Sequence, residues 1–248
     1  MMSRPQTTPA NMMLSKLTTD ERERLRPHLR PITLDLRRIL FRPDDFIRHV
    51  YFPTTSIISL LTELSDGTGM EVGLVGNEGM LGISAVLGGS ETKVATVQAQ
   101  GEALQLDANI LKQEFDRGQT LQVALLRYTH ALMAQVSQSA VCSIRHDVER
   151  RLARWLLMYH DRLDRDEFEM THEFMAAMLG VRRASISEVA MRLQDRKLIT
   201  YERGHIRIID RSALEHFVCE CYPVVKRHFD DLSSSPRSRA LEAGNLSL

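Results

Sequence analysis

From Gln119 to Leu163 the chain contains neither glycine nor proline, and within that stretch Leu121, Leu125, Tyr128, Leu132, Val136, Ser139 and Cys142 recur at steps of three and four. Such steps put side chains on one face of an α-helix, and sustained this far they predict a helix of roughly six turns. So long a stripe exceeds what one small domain covers. Leu121, Leu125, Tyr128, Leu132, Val136 and Ser139 are therefore expected to form a dimer seam, with Ser139 and Ala140 small enough to let two helices approach. The alternative is one long helix packed within its own chain. A second amphipathic set, Val148, Leu152, Trp155 and Leu156, follows from Asp147 to about Tyr159, which makes Arg145-His146-Asp147 the natural hinge.

Upstream the pattern is different. Short alternating or apolar runs at Ile32–Leu36, Ile39–Phe41, His49–Phe52, Ile57–Leu61, Met70–Val75, Val94–Val97 and Ala103–Leu106 are separated by Pro, Gly, Asp and Asn, the signature of a many-stranded β-sandwich or roll. A short helix bearing Leu14, Leu17, Leu25 and Leu29 precedes them. The expected organisation is a mobile N-terminus over residues 1–13, a β-roll over 14–118, the long helix and hinge over 119–146, a C-terminal module over 147–222 and a tail over 223–248 that is disordered from Ser233. The fold class is α+β: an antiparallel β-roll, a long central dimerisation helix and a C-terminal winged helix-turn-helix.

The last element rests on the stretch Thr171 to Asp210. Two short helices that cross closely need a small residue at the contact and a bend that admits positive φ, and Ala176 and Gly180 stand four apart in those places. Met175, Leu179, Ile186 and Val189 supply the apolar contact. The polar face of the second helix then carries Arg182, Arg183, Ala184, Ser185, Ser187, Glu188 and Arg192, with Thr171 opening the first helix. On such a face Arg183 suits a guanine edge, Glu188 a cytosine amine, and Ser185 or Ser187 a phosphate or base. Arg182 stands where a Ser or Thr cap is usual, so it is assigned to phosphate. An alternating hairpin follows, with Arg203, His205 and Arg207 around Gly204, as in a wing. From Val181 to Arg211 there are eight Lys or Arg and four Asp or Glu, whereas the whole chain of 248 residues balances 32 against 32. The positive charge is gathered where phosphates would lie, and the neutral total argues against indiscriminate polyanion binding.

Other classes fit less well. No run approaches the length of a membrane span and the N-terminus lacks an apolar signal core, so a cytoplasmic protein is expected. Cys142, Cys219 and Cys221 make no disulfide framework and no zinc spacing, and on a helix Cys219 and Cys221 would point apart. No His-Glu-x-x-His, nucleophile elbow or P-loop occurs; the expectation is no enzyme, no metal and no resident cofactor. The rival reading is a cupin-like roll that binds a small ligand or metal, its winged helix serving protein interaction. His28 and His49, its only histidines, lie in separate segments.

With roll, long helix and wing in order, the chain resembles the Crp/Fnr family of bacterial transcription regulators over about Leu14 to Tyr222, most specifically in Leu179-Gly180-Val181-Arg182-Arg183, Leu198-Ile199 and Arg203-Gly204-His205-Ile206. The resemblance implies a homodimer with a cyclic-nucleotide-binding-like roll, recognition helices on two DNA half-sites roughly 34 Å apart, and RNA polymerase as a protein partner. It places the effector pocket at Gly79, Gly82, Ile83, Ser84, Lys93 and Val94. The sequence departs from the cyclic-nucleotide pattern there. Ile83 offers no acceptor for a ribose hydroxyl, Val94 no hydroxyl donor and Lys93 no bidentate fork, so cyclic AMP is not expected and the effector is unassigned. No cysteine precedes Cys142 to hold the N-terminal iron–sulfur cluster of oxygen-sensing relatives.

Overall fold

The computed structural model describes residues 11–163 and 165–233. Asn11 anchors the start: its side chain accepts from the Met13 and Leu14 N–H groups, capping α1 (Met12–Ser15), and donates to the Pro53 and Gly79 carbonyls. In α2 (Thr19–Leu25) the cap is Thr18, in a reciprocal capping box with Glu21. Glu21 also accepts from the Leu121 N–H at 2.8 Å, fastening this segment to the long helix. The N-terminus is thus tied down from Asn11, short of the boundary expected at residue 13; residues 1–10 lie outside the described residues.

Each apolar run is a strand: β1 (Arg30–Leu34), β2 (Ile39–Phe41), β3 (His49–Pro53), β4 (Ile57–Glu63), β5 (Gly69–Val75), β6 (Val94–Ala99) and β7 (Gly101–Asp107), with α3 (Ser84–Leu87) between β5 and β6. They form two antiparallel sheets, in orders β1-β7-β3 and β2-β6-β4-β5. Leu34, Val50, Phe52, Ile58, Val75, Ala95, Val97 and Leu106 are buried in one core. Burying one such side chain fully is worth about 1.5–3 kcal/mol, which is what selects this register over a one-residue slip.

After α4 (Ala108–Asp116) come α5 (Thr120–Arg145) and α6 (Val148–His160), broken at the expected hinge, where Asp147 accepts from the Arg150 N–H at 2.8 Å and caps α6. The remaining elements are β8 (Glu167–Glu169), α7 (His172–Leu179), α8 (Arg183–Asp195), β9 (Ile199–Glu202), β10 (His205–Ile208), α9 (Arg211–Phe217) and α10 (Cys221–Ser233). The boundary at 223 needs correcting. Pro223 stands in the first turn of α10, where proline removes no intrahelical bond, and the helix runs on to Ser233. The tail expected beyond it lies outside the described residues.

α10 packs along α5, with His228 against His130 (ring centroids 5.2 Å) and Phe229 edge-on to Tyr128 (6.5 Å). This bears on the expected dimer seam. Leu121, Leu125, Tyr128 and Ser139 are buried in their own protomer, and Leu132 and Val136 are partly covered, so the stripe is spent on the roll and on α10. The large apolar side chains α5 leaves in solvent are Val123, Leu126, Met133, Val141 and Ile144, with Met133 64% and Ile144 81% exposed. α6 meets the roll on its other side, where Trp155 Nε1 donates to Glu71 of β5 at 2.9 Å.

Candidate nucleic-acid interface

α7 begins at Thr171, whose hydroxyl accepts from the Phe174 N–H at 3.1 Å, and ends at Gly180 in the left-handed conformation (φ 61°, ψ 43°). A Cβ on Gly180 would also approach the Met70 Cβ to 3.2 Å, so the bend and the seat of α7 against β5 both call for glycine. Met175, Ala176, Met178 and Leu179 from α7 close on Ile186, Val189, Ala190 and Leu193 from α8, all buried. From α6, the buried Arg151 guanidinium donates to the Leu179 carbonyl at the end of α7. That leaves α8 with one solvent face.

Arg182, Arg183, Ala184, Glu188 and Arg192 lie on that face, and Ser185 is half-buried beside it. Arg182 holds the cap position without a capping side-chain bond. Arg183 is the first helical residue, its side chain 69% exposed and its Nε 3.8 Å from Glu173, a distance too long to hold it. Ser187 is turned the other way: its hydroxyl meets His172 Nδ1 at 2.9 Å, and the His172 ring stacks on Tyr201 (centroids 4.1 Å, 17° between planes). Burial, with the nearby Arg183 charge, holds His172 below the ordinary histidine pKa and so favours its neutral form. Ser187 thereby links α8 to α7 and the wing. Arg192 bonds Glu149 of α6 at 2.8 Å, and Arg196 meets the same carboxylate at 3.3 Å.

The wing is a three-stranded sheet, β8-β10-β9, rather than a bare hairpin. Glu202 pairs with His205, and both loop residues, Arg203 (φ 51°) and Gly204 (φ 87°), have positive φ, as a two-residue type I′ loop requires. Arg203 is at the tip with its side chain 90% exposed. Arg207 is held by Glu167 across the sheet, and His205 Nδ1 lies 3.8 Å from the same carboxylate. The Arg207 hydrogen bond holds Glu167 below the usual carboxylate range. Glu149 and Glu167 escape sequence reasoning, because nothing local says which arginine a distant carboxylate will take.

The nominated effector residues are divided. Tyr128 lies over Gly79, where a Cβ would be 2.1 Å from its ring, and Gly82 and Ile83 adjoin the roll core. Val94 belongs instead to the core shared with α6, while Lys93 Nζ bonds Thr92 at 2.9 Å. His28 and His49 are both on the surface. Among the described residues one set of metal-ligating side chains does converge, away from these elements: Cys142, His146, Cys219 and Cys221. Cys219 precedes α10, so the expectation that Cys219 and Cys221 point apart on a helix does not hold.

Residues 150–217 match the model of the Crp-like helix-turn-helix domain. About three quarters of the chain superposes on each of several solved structures at low identity. FixK2 from Bradyrhizobium japonicum is 15% identical, with TM-score 0.67 over 77% of this chain and 98% of that one. The c-di-GMP-responsive global regulator CLP from Xanthomonas campestris is 17% identical, with TM-score 0.60 over 78% and 100%. A CRP/FNR-family transcriptional regulator from Thermus thermophilus, TTHA1359, is 16% identical, with TM-score 0.59 over 75% and 97%. No curated protein matches the sequence. The chain therefore has the fold seen in solved Crp/Fnr-family regulators, and its residues 150–217 are similar to the Crp-like helix-turn-helix domain.

Proposed function

We propose that the chain is a sequence-specific transcription regulator that grips a near-palindromic operator as a homodimer. The observation that carries this is the solvent face of α8, where Arg182, Arg183, Ala184 and Glu188 project from a scaffold that fixes the helix on its other side. An α-helix fits the major groove, and a protruding N-terminal arginine can fork onto guanine O6 and N7. Glu188, one turn on, accepts from a cytosine amine on the same reading. Arg182 and Lys197 are exposed cations for phosphate, as is Arg203 at the tip with Glu202 3.8 Å away, and Arg192 and Arg207 are bonded to carboxylates that compete for them, with His205 3.8 Å from Glu167.

Two half-sites need two recognition helices, and the exposed α5 stripe of Val123, Leu126, Met133 and Ile144 supplies the seam. The roll is the place for an effector, with Gly79, Gly82, Ile83, Ser84, Lys93 and Val94 the nominated surroundings. CLP shows that a nucleotide-responsive regulator shares this fold; cyclic AMP does not suit this cassette. RNA polymerase is the partner through which bound regulator would act, and the cytoplasm the place. Selection of bound fragments from random DNA tests the reading: the expected outcome is an enriched palindrome with half-site centres one helical turn apart, about 34 Å. Recovery of unenriched DNA would overturn it.

A further inference from the structure

The hinge carries a second constellation. Cys142, in the last turns of α5, and His146, its cap residue, are four apart and so share a face. Cys219, in the link after α9, and Cys221, the first residue of α10, are brought against them across 77 residues of chain. The three cysteines are buried and the His146 side chain is 14% exposed. Their four ligand atoms all lie within 4.8 Å of one another. Cys142 Sγ is 3.7 Å from Cys219 Sγ, and Cys221 Sγ is 3.5 Å from His146 Nδ1. Around a single zinc ion with ordinary bond lengths, tetrahedral edges come to about 3.8 Å between sulfurs and about 3.5 Å between sulfur and nitrogen.

The geometry points to one Zn²⁺ held by Cys142, His146, Cys219 and Cys221, a clasp that pins the hinge between α5 and α6 to the start of α10. The surroundings are those such a site needs. His146 Nε2 lies 3.3 Å from the Glu220 carboxylate, which would fix the ring with Nδ1 toward the metal. Gln138 Nε2 donates to Cys221 Sγ at 3.1 Å, a bond that suits a thiolate. Three thiolates on a divalent ion leave one negative charge, and the buried Arg151 and Arg154 of α6 lie within electrostatic reach of Cys142. A disulfide would use only two of the sulfurs and leave the third cysteine and the histidine without a role. An iron–sulfur cluster spreads its cysteines over several irons and holds them farther apart than donors gathered around one point. A closed set of three sulfurs and one nitrogen is a structural zinc set.

Metal content tests this without DNA. Full-length protein purified without chelator should release one zinc per chain when its thiols are capped by a mercurial. Chelator-stripped, thiol-reduced protein should take up one Co²⁺ with the thiolate charge-transfer and tetrahedral d–d bands of a sulfur-rich site. Cys219→Ser should abolish those bands, and Glu220→Gln should weaken zinc by about 10-fold, the low end for a carboxylate behind a ligating histidine. If Cys219→Ser misfolds, the stripped wild-type chain still decides. Reduced protein with native circular dichroism that takes up neither Zn²⁺ nor Co²⁺ overturns the assignment, as does a resident Cys142–Cys219 disulfide. The effect on DNA rests on the regulator reading and is measured separately: stripping zinc should loosen the hinge and weaken operator binding by about 5-fold or more. Zinc bound with no DNA affinity would sink the regulator and leave the clasp standing.

Discussion

The two faces of α5 carry the same kind of residue at the same steps, and only one of them is filled. Leu121, Leu125 and Tyr128 are sealed between the roll and α10, while Leu126, Met133 and Ile144 stand in solvent. Helical periodicity states that a face is wanted by something apolar; it does not state whether the partner is the same chain or another. The sealed face belongs to folding, the open face is the one proposed for assembly, and substitutions should separate the two. The largest effect is expected from Leu126→Glu with Met133→Glu, which puts four carboxylates into the proposed twofold seam. Light scattering should show a folded monomer, and operator affinity should fall about 100-fold or more as one half-site grip is lost. A double variant that stays dimeric would move the seam elsewhere.

Leu125→Ala on the sealed face should do the opposite, leaving association intact while costing about 2–5 kcal/mol of folding free energy in urea denaturation. Next in size is a pH effect at the junction of roll and α6. Burial pushes the Glu71 carboxyl up to about 7, although Ser59 and Trp155 donate to it and pull it back. Because its pKa is raised on folding, the native state holds the proton more tightly than the unfolded chain. This group favours folding most below pH 4.5 and loses that advantage as pH climbs to about 7, about 3 kcal/mol across the window. Glu71→Gln should flatten the curve and raise stability at pH 8; an unchanged pH profile would place a water or cation beside Glu71.

What sequence reasoning reached, and where it stopped, follows the same division. The strands, the hinge at Arg145-His146-Asp147, Gly180 at the bend and the inward set Met175, Leu179, Ile186 and Val189 were legible because pleat, helix pitch and positive φ are local properties. Partners chosen across the chain were not. Pro223 reads as a stop, yet it falls in a first turn that tolerates it, and α10 then takes up the α5 face that seemed free. Ser187 sits among exposed residues in sequence, but His172 turns it inward. Cys142-x-x-x-His146 and Cys219-x-Cys221 are each half of a set, and neither half looks like a metal site until the fold closes them together.

The smallest expected effect compares recognition helix with wing. Arg183 and Arg203 both project, whereas Arg207 already has a partner in Glu167, so the three arginines should behave in three ways. Arg183→Ala should cost about 1–3 kcal/mol on the selected operator, with preference relaxed at one base pair per half-site and random DNA little affected. Arg203→Ala should weaken specific and random DNA alike and lower the salt slope of log affinity by about one per wing. Arg207→Ala should have the least effect on binding, because Glu167 competes with phosphate for the same guanidinium. Fluorescence anisotropy against operator and scrambled duplexes at several salt concentrations separates these outcomes. If Arg207→Ala matched Arg203→Ala on both duplexes, the Glu167 pair would have to open on DNA, and the wing rather than α8 would be the part of the module that rearranges.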